Sequence, residues 1–429
     1  MASNIAENYI QEIVIVEILS RLTVKSLLRF RIVCKCWYTL VKNSNFISKH
    51  LHSHSNTRLL MQRYTYKIQK YALASFPYEK ISITPSLFDD LDKLGIPRIL
   101  CVNGPFHGIF CVWDRLHLAL WNPSLKEFRS LLVPQPKIPS TYTAYCFYSG
   151  MGLDPITNHY KLVWIRLFWD EINDDPYIPT VIAIYTLNTH SWNLFEVDVF
   201  GKGYIHECMC NTYMDGVHYW LTSDDDNNYV LFSFDMNSEI FHETRTPPDI
   251  PKSQLGVLSM CNDYIAMFFY NPSEVVEKDF DIWLMKEEGS WTKRFTIGPF
   301  RDVDSPLGFW INGDVLFETG TAQLVFYYPD CQEIKYVGPF GNYCSVHVWV
   351  YKESLVAVKG ENECWEEDVW SITSVNDAEA SPTTGTAMTN SIAAVDEPLH
   401  FLALCHDSAA ADHVRGGDDG FMVAVNGAK

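Results

Sequence analysis

Residues Ile10 to Leu51 read IQEIVIVEILSRLTVKSLLRFRIVCKCWYTLVKNSNFISKHL, and the rest of the chain is understood from this stretch outward. Ile10, Val14, Ile18 and Leu22 recur at every fourth position, the spacing of an apolar stripe along a helix. Thr23 is placed to cap the next helix, because its hydroxyl can accept a backbone N–H that has no partner in a first turn. Leu27, Leu28, Phe30, Ile32 and Val33 are apolar on more than one side, and Trp37, Leu40 and Val41 follow. The pattern predicts about three short helices. About 40 residues are too few to bury such a surface alone. Part of it is therefore expected to pack on the rest of the chain or on another protein.

Five runs in this stretch keep a fixed order and register: Glu17-Ile18-Leu19-Ser20-Arg21-Leu22, Val24-Lys25-Ser26-Leu27-Leu28-Arg29-Phe30, Val33-Cys34-Lys35-Cys36-Trp37, Phe46-Ile47 and His50-Leu51. Together they resemble the F-box, the motif that docks a substrate receptor onto the Skp-type subunit of a Skp–cullin–F-box ubiquitin ligase. The resemblance implies that Ile10, Gln11, Val14, Ile18, Leu22, Leu27, Leu28, Phe30, Val33 and Trp37 serve Skp binding, with cullin and RING subunits reached through it. Two positions depart from the family pattern. Ile10-Gln11 stands where Leu-Pro usually opens the motif, in the part that touches the Skp subunit, and Thr23 stands where a second Pro is common. The alternative is a helical subdomain that packs only within this chain.

From about residue 100 to 358 the sequence changes to short apolar segments separated by turn residues, as all-β proteins do. One phrase recurs, in which an apolar run and a polar turn lead to a large apolar residue. It is found at Ala119–Phe128, Ala183–Trp192, Phe232–Phe241, Ile282–Trp291 and, more loosely, Leu324–Ile334. The later anchors lie 49, 50 and 43 residues apart, within the span of a four-stranded propeller blade. The first interval, 64 residues, calls for an insertion, and Asp170 to Pro179 (DEINDDPYIP) has its composition. A second phrase leads a strand out of Gly or Asp, as in Gly104–Trp113, Asp215–Leu221 and Leu307–Leu316. With Gly150–Val163, GMGLDPITNHYKLV, these segments resemble the F-box-associated domain of plant F-box receptors. A β-sandwich is the alternative reading.

The predicted class is thus an α+β multidomain chain: a three-helix F-box at 8–52, a linker with first strands at 53–99, an all-β propeller-like domain at 100–358 and a disordered acidic tail at 361–429. That tail holds 13 Asp/Glu against 2 Lys/Arg, with Ala, Ser, Thr and Gly clusters unsuited to a core. Charge is divided along the chain. Residues 1–70 carry 11 Lys/Arg and 3 Asp/Glu, whereas the remainder carries 22 and 49, giving −19 overall. An acidic body repels nucleic acid and favours a basic partner. No run of 18 apolar residues offers a membrane span, and the first residues lack the pattern of a secretory signal. The twelve cysteines include no C-x-x-C pair, which suits reduced thiols in a cytoplasmic or nuclear protein.

The catalytic motifs of the phosphate loop, the H-E-x-x-H zinc helix and the G-x-S-x-G elbow are missing from the sequence. His50, His52 and His54 are read as a connector, His206, Cys208 and Cys210 as strand packing, and Gly201-Lys202-Gly203 as no nucleotide loop. Neither a metal nor a cofactor is expected. Three acidic groups are candidates for a target-binding rim: Asp170, Glu171, Asp174 and Asp175; Asp224, Asp225 and Asp226; and Glu274 and Glu277. Trp169, Tyr177 and Tyr270 lie beside them as aromatic anchors. The combination resembles the S-locus F-box proteins of pollen, which implies a non-catalytic receptor for a basic protein such as a style ribonuclease. An F-box receptor for an endogenous regulator, or a glycan-binding or hydrolytic propeller, are the competing readings.

Overall fold

A computed structural model describes residues 13–52, 57–65, 70–77, 86–87, 101–114, 117–170, 172–173, 175–176, 180–197, 204–205, 210–224, 226, 228–274, 277–321, 323–337 and 346–359. The proposed tail, His54, 206–209 and Gly201–Gly203 lie outside them.

Four short helices open the described chain: α1 (residues 13–20), α2 (Val24–Phe30), α3 (Lys35–Val41) and α4 (Ser44–Leu51). This is one more than the apolar periodicity predicts, because side-chain caps break the run. Cys34 Sγ accepts the Trp37 N–H at 3.4 Å, and Asn43 Oδ1 accepts the N–H groups of Asn45 and Phe46 at 2.9 and 3.3 Å. Thr23 caps α2 as expected, its Oγ1 accepting the Ser26 N–H at 3.4 Å. Leu19, Val24, Leu27, Val41 and Phe46 meet in the core of this helical unit.

Among the described residues six antiparallel sheets follow, each of four or five strands. The inner strands of successive sheets touch in a closed ring, so the domain is a propeller. Closure is made by pairing across the chain. Thr57–Thr65 lies against Val346–Lys352, with Leu59 opposite Val350 and Leu60 opposite Trp349. Lys70–Pro77 and Ser86–Leu87 complete that first sheet, so the propeller begins at Thr57 and not at residue 100. The recurring phrase turns out to be the hairpin of third and fourth strands in the other five sheets. The long first interval contains the unusually long strands Tyr142–Leu153 and Tyr160–Asp170 of the third sheet.

Second strands such as Tyr264–Tyr270 (YIAMFFY) are almost continuously apolar, since both of their faces are covered by neighbouring sheets. Fourth strands, such as Ser191–Val197, are largely solvent-facing. The GMGLDPITNHYKLV phrase builds the joint between third and fourth sheets. A Cβ on Gly150 would sit 2.5 Å from His218 Cδ2 and from Trp220 Cζ2, and one on Gly152 2.6 Å from Met236 Cε. Asp154 closes the turn by accepting the Ile156 and Thr157 N–H groups at 2.9 and 3.2 Å. Lys161 then reaches across, its Nζ donating to Met236 O at 2.6 Å and Glu239 Oε1 at 2.8 Å.

The helical unit is fastened to the ring by the segment that leaves the closing strand. Glu353 accepts the Val24 N–H at 3.0 Å at the start of α2 and pairs with Arg58 at 3.3 Å. Leu355 enters the helical core, and Leu125 packs at its edge. On the other side Leu51 and Ile47 of α4 pack with Val356 and the second sheet.

Candidate protein-docking surfaces

The helical unit leaves one set of its apolar side chains uncovered. Ile13, Val14, Ile15 and Ile18 of α1 are exposed, and so are Ile32, Val33 and Tyr38 around the turn into α3, with Ile18 at 58% and Val33 at 65%. Val14 and Ile18 are four apart on α1 and so share a face. Leu19, one position on from Ile18, faces the core instead, so α1 is apolar on both sides. Trp37 and Phe30 pack together with ring centroids 5.4 Å apart, half-buried at the edge of the core with Leu22 and Leu28. Leu27 is fully buried beneath this surface and supports it without being part of it. Lys25, Arg29, Arg31, Lys35 and Lys42 are exposed around it. Ile10 and Gln11 lie outside the described residues.

The propeller places the acidic groups on its opposite end. The loops after Asp170, after Ser223 and after Tyr270 each join the second strand of a sheet to the third, in three successive sheets. Antiparallel alternation sends all such loops to one end of the ring. The helical unit enters and leaves through Thr57 and Lys352, which are at the other end. Asp224 and Asp226 are exposed there, and Asp224 is held by the Asn228 side chain and the backbone N–H groups of Asp226 and Asn228 at 2.8 to 3.0 Å. The Asn228 side-chain hydrogen bond comes first among the causes that lower its carboxyl pKa. Glu274 is exposed, and Glu277, also exposed, pairs with Arg301 at 2.8 Å.

Comparison with known proteins decides the family. The F-box associated beta propeller domain matches residues 58–358, and the F-box domain matches residues 12–49. The chain belongs to the F-box associated beta propeller family. Its relatives include the Arabidopsis thaliana F-box/kelch-repeat protein At3g23880, 25% identical over 71% of this chain and 85% of that protein. Another is the Arabidopsis thaliana F-box protein At5g41490, 23% identical over 84% of this chain and 96% of that protein. The order of an F-box followed by its associated propeller is that of plant F-box proteins.

With the F-box and propeller identified, two expected rim residues fall away. Tyr270 is buried at the end of a second strand, where its ring packs 5.2 Å from Phe280, so it is no surface anchor. Asp170 is buried as well, its carboxylate occupied by the Ile172 N–H at 2.9 Å and the Asn173 side chain at 2.8 Å. It shapes the loop. Trp169 is half-buried beside it, and Asp175 continues the pairing with Asp170 through its backbone. Glu171, Asp174, Tyr177 and Asp225 lie outside the described residues. The histidine run read as a connector begins inside α4: His50 is buried there with Nε2 2.9 Å from Leu22 O, and His52 is an exposed helix cap. Among the described residues no cluster of His, Cys, Asp or Glu is arranged to hold a metal.

Proposed function

We propose that the chain is the substrate-recognition subunit of a Skp–cullin–F-box ubiquitin ligase. The observation that carries this is the uncovered apolar side chains of Val14, Ile18, Ile32 and Val33 on a helical unit that buries Leu19, Val24, Leu27, Val41 and Phe46 in its own core. Such a surface is stable in water chiefly when a partner covers it. The basic residues around it suit an acidic adaptor. Skp docking then involves Val14, Ile18, Val33 and Trp37 directly, while Leu22, Leu27, Leu28 and Phe30 hold them in place.

The target binds the opposite end of the ring, where Asp224, Asp226, Glu274 and Glu277 give negative charge and favour a basic protein. Style ribonucleases are the target class that the resemblance to S-locus F-box proteins supplies. The chain contributes no catalytic group. Holding target and conjugating enzyme in one assembly raises their effective concentration, and cullin and RING subunits bring the enzyme. The protein works in the cytoplasm. Co-elution of the full chain with a recombinant Skp subunit, against the same chain carrying Ile18→Glu and Val33→Glu, tests the docking role. A pull-down panel of basic ribonucleases and unrelated basic proteins tests the target class.

A further inference from the structure

Arg166, in the second strand of the third sheet, is 4% exposed, and the structure gives its guanidinium a single hydrogen bond, from Nη2 to Pro134 O at 2.7 Å. Its Nε is buried with no hydrogen-bond partner. Among the described residues no carboxylate is paired with it. The propeller's other buried cations are treated differently. Lys161 has Glu239 at 2.8 Å, and Lys278 has Asp304 at 2.7 Å. Burial without a counter-charge is a costly state for an ion, and here burial pulls the guanidinium down from 12.5 to about 10.

The position of Arg166 shows where a counter-charge would come from. Leu162 and Trp164 face the second sheet, and strand alternation turns Arg166 the same way. Pro134 belongs to the connection between second and third sheets, at the end of the ring away from the F-box. Residues 132–139 of that connection pair with no strand, and Pro134, Pro136 and Pro139 have no N–H to donate. Trp113 and Phe147 flank Trp164 at 5.3 and 5.4 Å, and the Phe168 ring lies 5.7 Å from the guanidinium. Leu132 and Ile172 are exposed at the same end.

We propose that Arg166 receives a carboxylate carried by the bound protein target, which replaces the Pro134 carbonyl at the joint between the second and third sheets. The unpaired Nε and a terminal N–H of one guanidinium form the fork that a carboxylate matches with two parallel hydrogen bonds. The aromatic walls and the exposed Leu132 and Ile172 select apolar neighbours for that acidic residue. Target binding then combines a basic surface, read by the acidic loops, with one acidic contact that fixes its register.

This assignment rests on reading the distal end as the target face, but the site can be tested with no ligase subunit present. N-acetyl-aspartate N-methylamide and its uncharged asparagine counterpart are titrated into the full chain while thermal unfolding is followed. Expected is a saturable stabilisation by the aspartate compound alone, shifting the unfolding equilibrium about elevenfold at ten times its Kd. Arg166→Met should abolish that stabilisation, and Arg166→Lys, which keeps the charge and loses the fork, should weaken it. Equal effects of the two compounds on the wild type would overturn the proposal. So would an undiminished aspartate effect in Arg166→Lys, a readout that survives if Arg166→Met fails to fold. Skp binding should be unchanged throughout, so failure here leaves the docking role standing.

Discussion

Replacing Leu355 by Ala tests whether the F-box is a free-standing module. The residue lies more than three hundred positions beyond α4 in sequence, yet its side chain fills the helical core beside Leu19, Leu27 and Phe46. Leu→Ala removes about three carbons, worth roughly 2.4 kcal/mol at about 0.8 per buried methylene, and the residual cavity raises the cost to about 2–5 kcal/mol. A unit of about 40 residues, at about 0.05–0.15 kcal/mol per residue, has only about 2–6 kcal/mol to lose. Most of the local stability of the F-box is therefore at stake. Hydrogen exchange should show α2 and α4 amides losing protection while the strands of the third to fifth sheets keep theirs. Affinity for the Skp subunit should fall by the fraction of molecules that remain folded in this region. Glu353→Gln, which weakens the acceptor for the Val24 N–H, should act in the same direction and by less. Unchanged α2 and α4 protection in Leu355→Ala would refute the reasoning, since it would mean the strap merely lies alongside.

Gly150→Ala should destabilise the propeller by about 1–3 kcal/mol, because its Cβ would overlap both His218 and Trp220; chemical denaturation measures this. His218 is buried and its pKa is pulled down from 6.5 to about 3 by desolvation, so below pH 6.5 the unfolded chain takes up a proton that the folded chain refuses. Its contribution to stability should fall by about 2 kcal/mol between pH 7 and pH 5 and continue falling to about pH 3, and a folded His218→Leu variant should show a shallower pH slope in thermal melts. Lys161→Met should cost about 3–5 kcal/mol by leaving Asp154 and Glu239 without their cation, again read by denaturation. Asp226→Asn, at an exposed position, should leave the melting temperature within about 1 °C while slowing association with a basic target at low salt.

The sequence made the F-box and most of the propeller legible because both are written in local patterns. Caps such as Thr23, the apolar second strands and the five hairpin phrases are each set by residues within about ten positions of one another. The closing first sheet was not legible. Its closure depends on Thr57–Thr65 meeting Val346–Lys352, and no local periodicity carries that pairing. The same holds for Glu353 and Leu355, whose role appears only once ring closure brings them to α2. Arg166 lies in an apolar run, IRLFW, where composition gives no sign of an unpaired guanidinium. Tyr270 was misplaced for the opposite reason: it adjoins an acidic loop in sequence but ends a strand that neighbouring sheets cover on both faces.

Binding of the Skp subunit is the most direct test of the docking role. The full chain mixed with a purified Skp homologue should elute as a stable complex of one copy each, and the Ile18→Glu, Val33→Glu chain should remain folded and elute alone. A wild-type chain that forms no complex, or a double variant that binds as well as the wild type, would contradict the assignment of that apolar face.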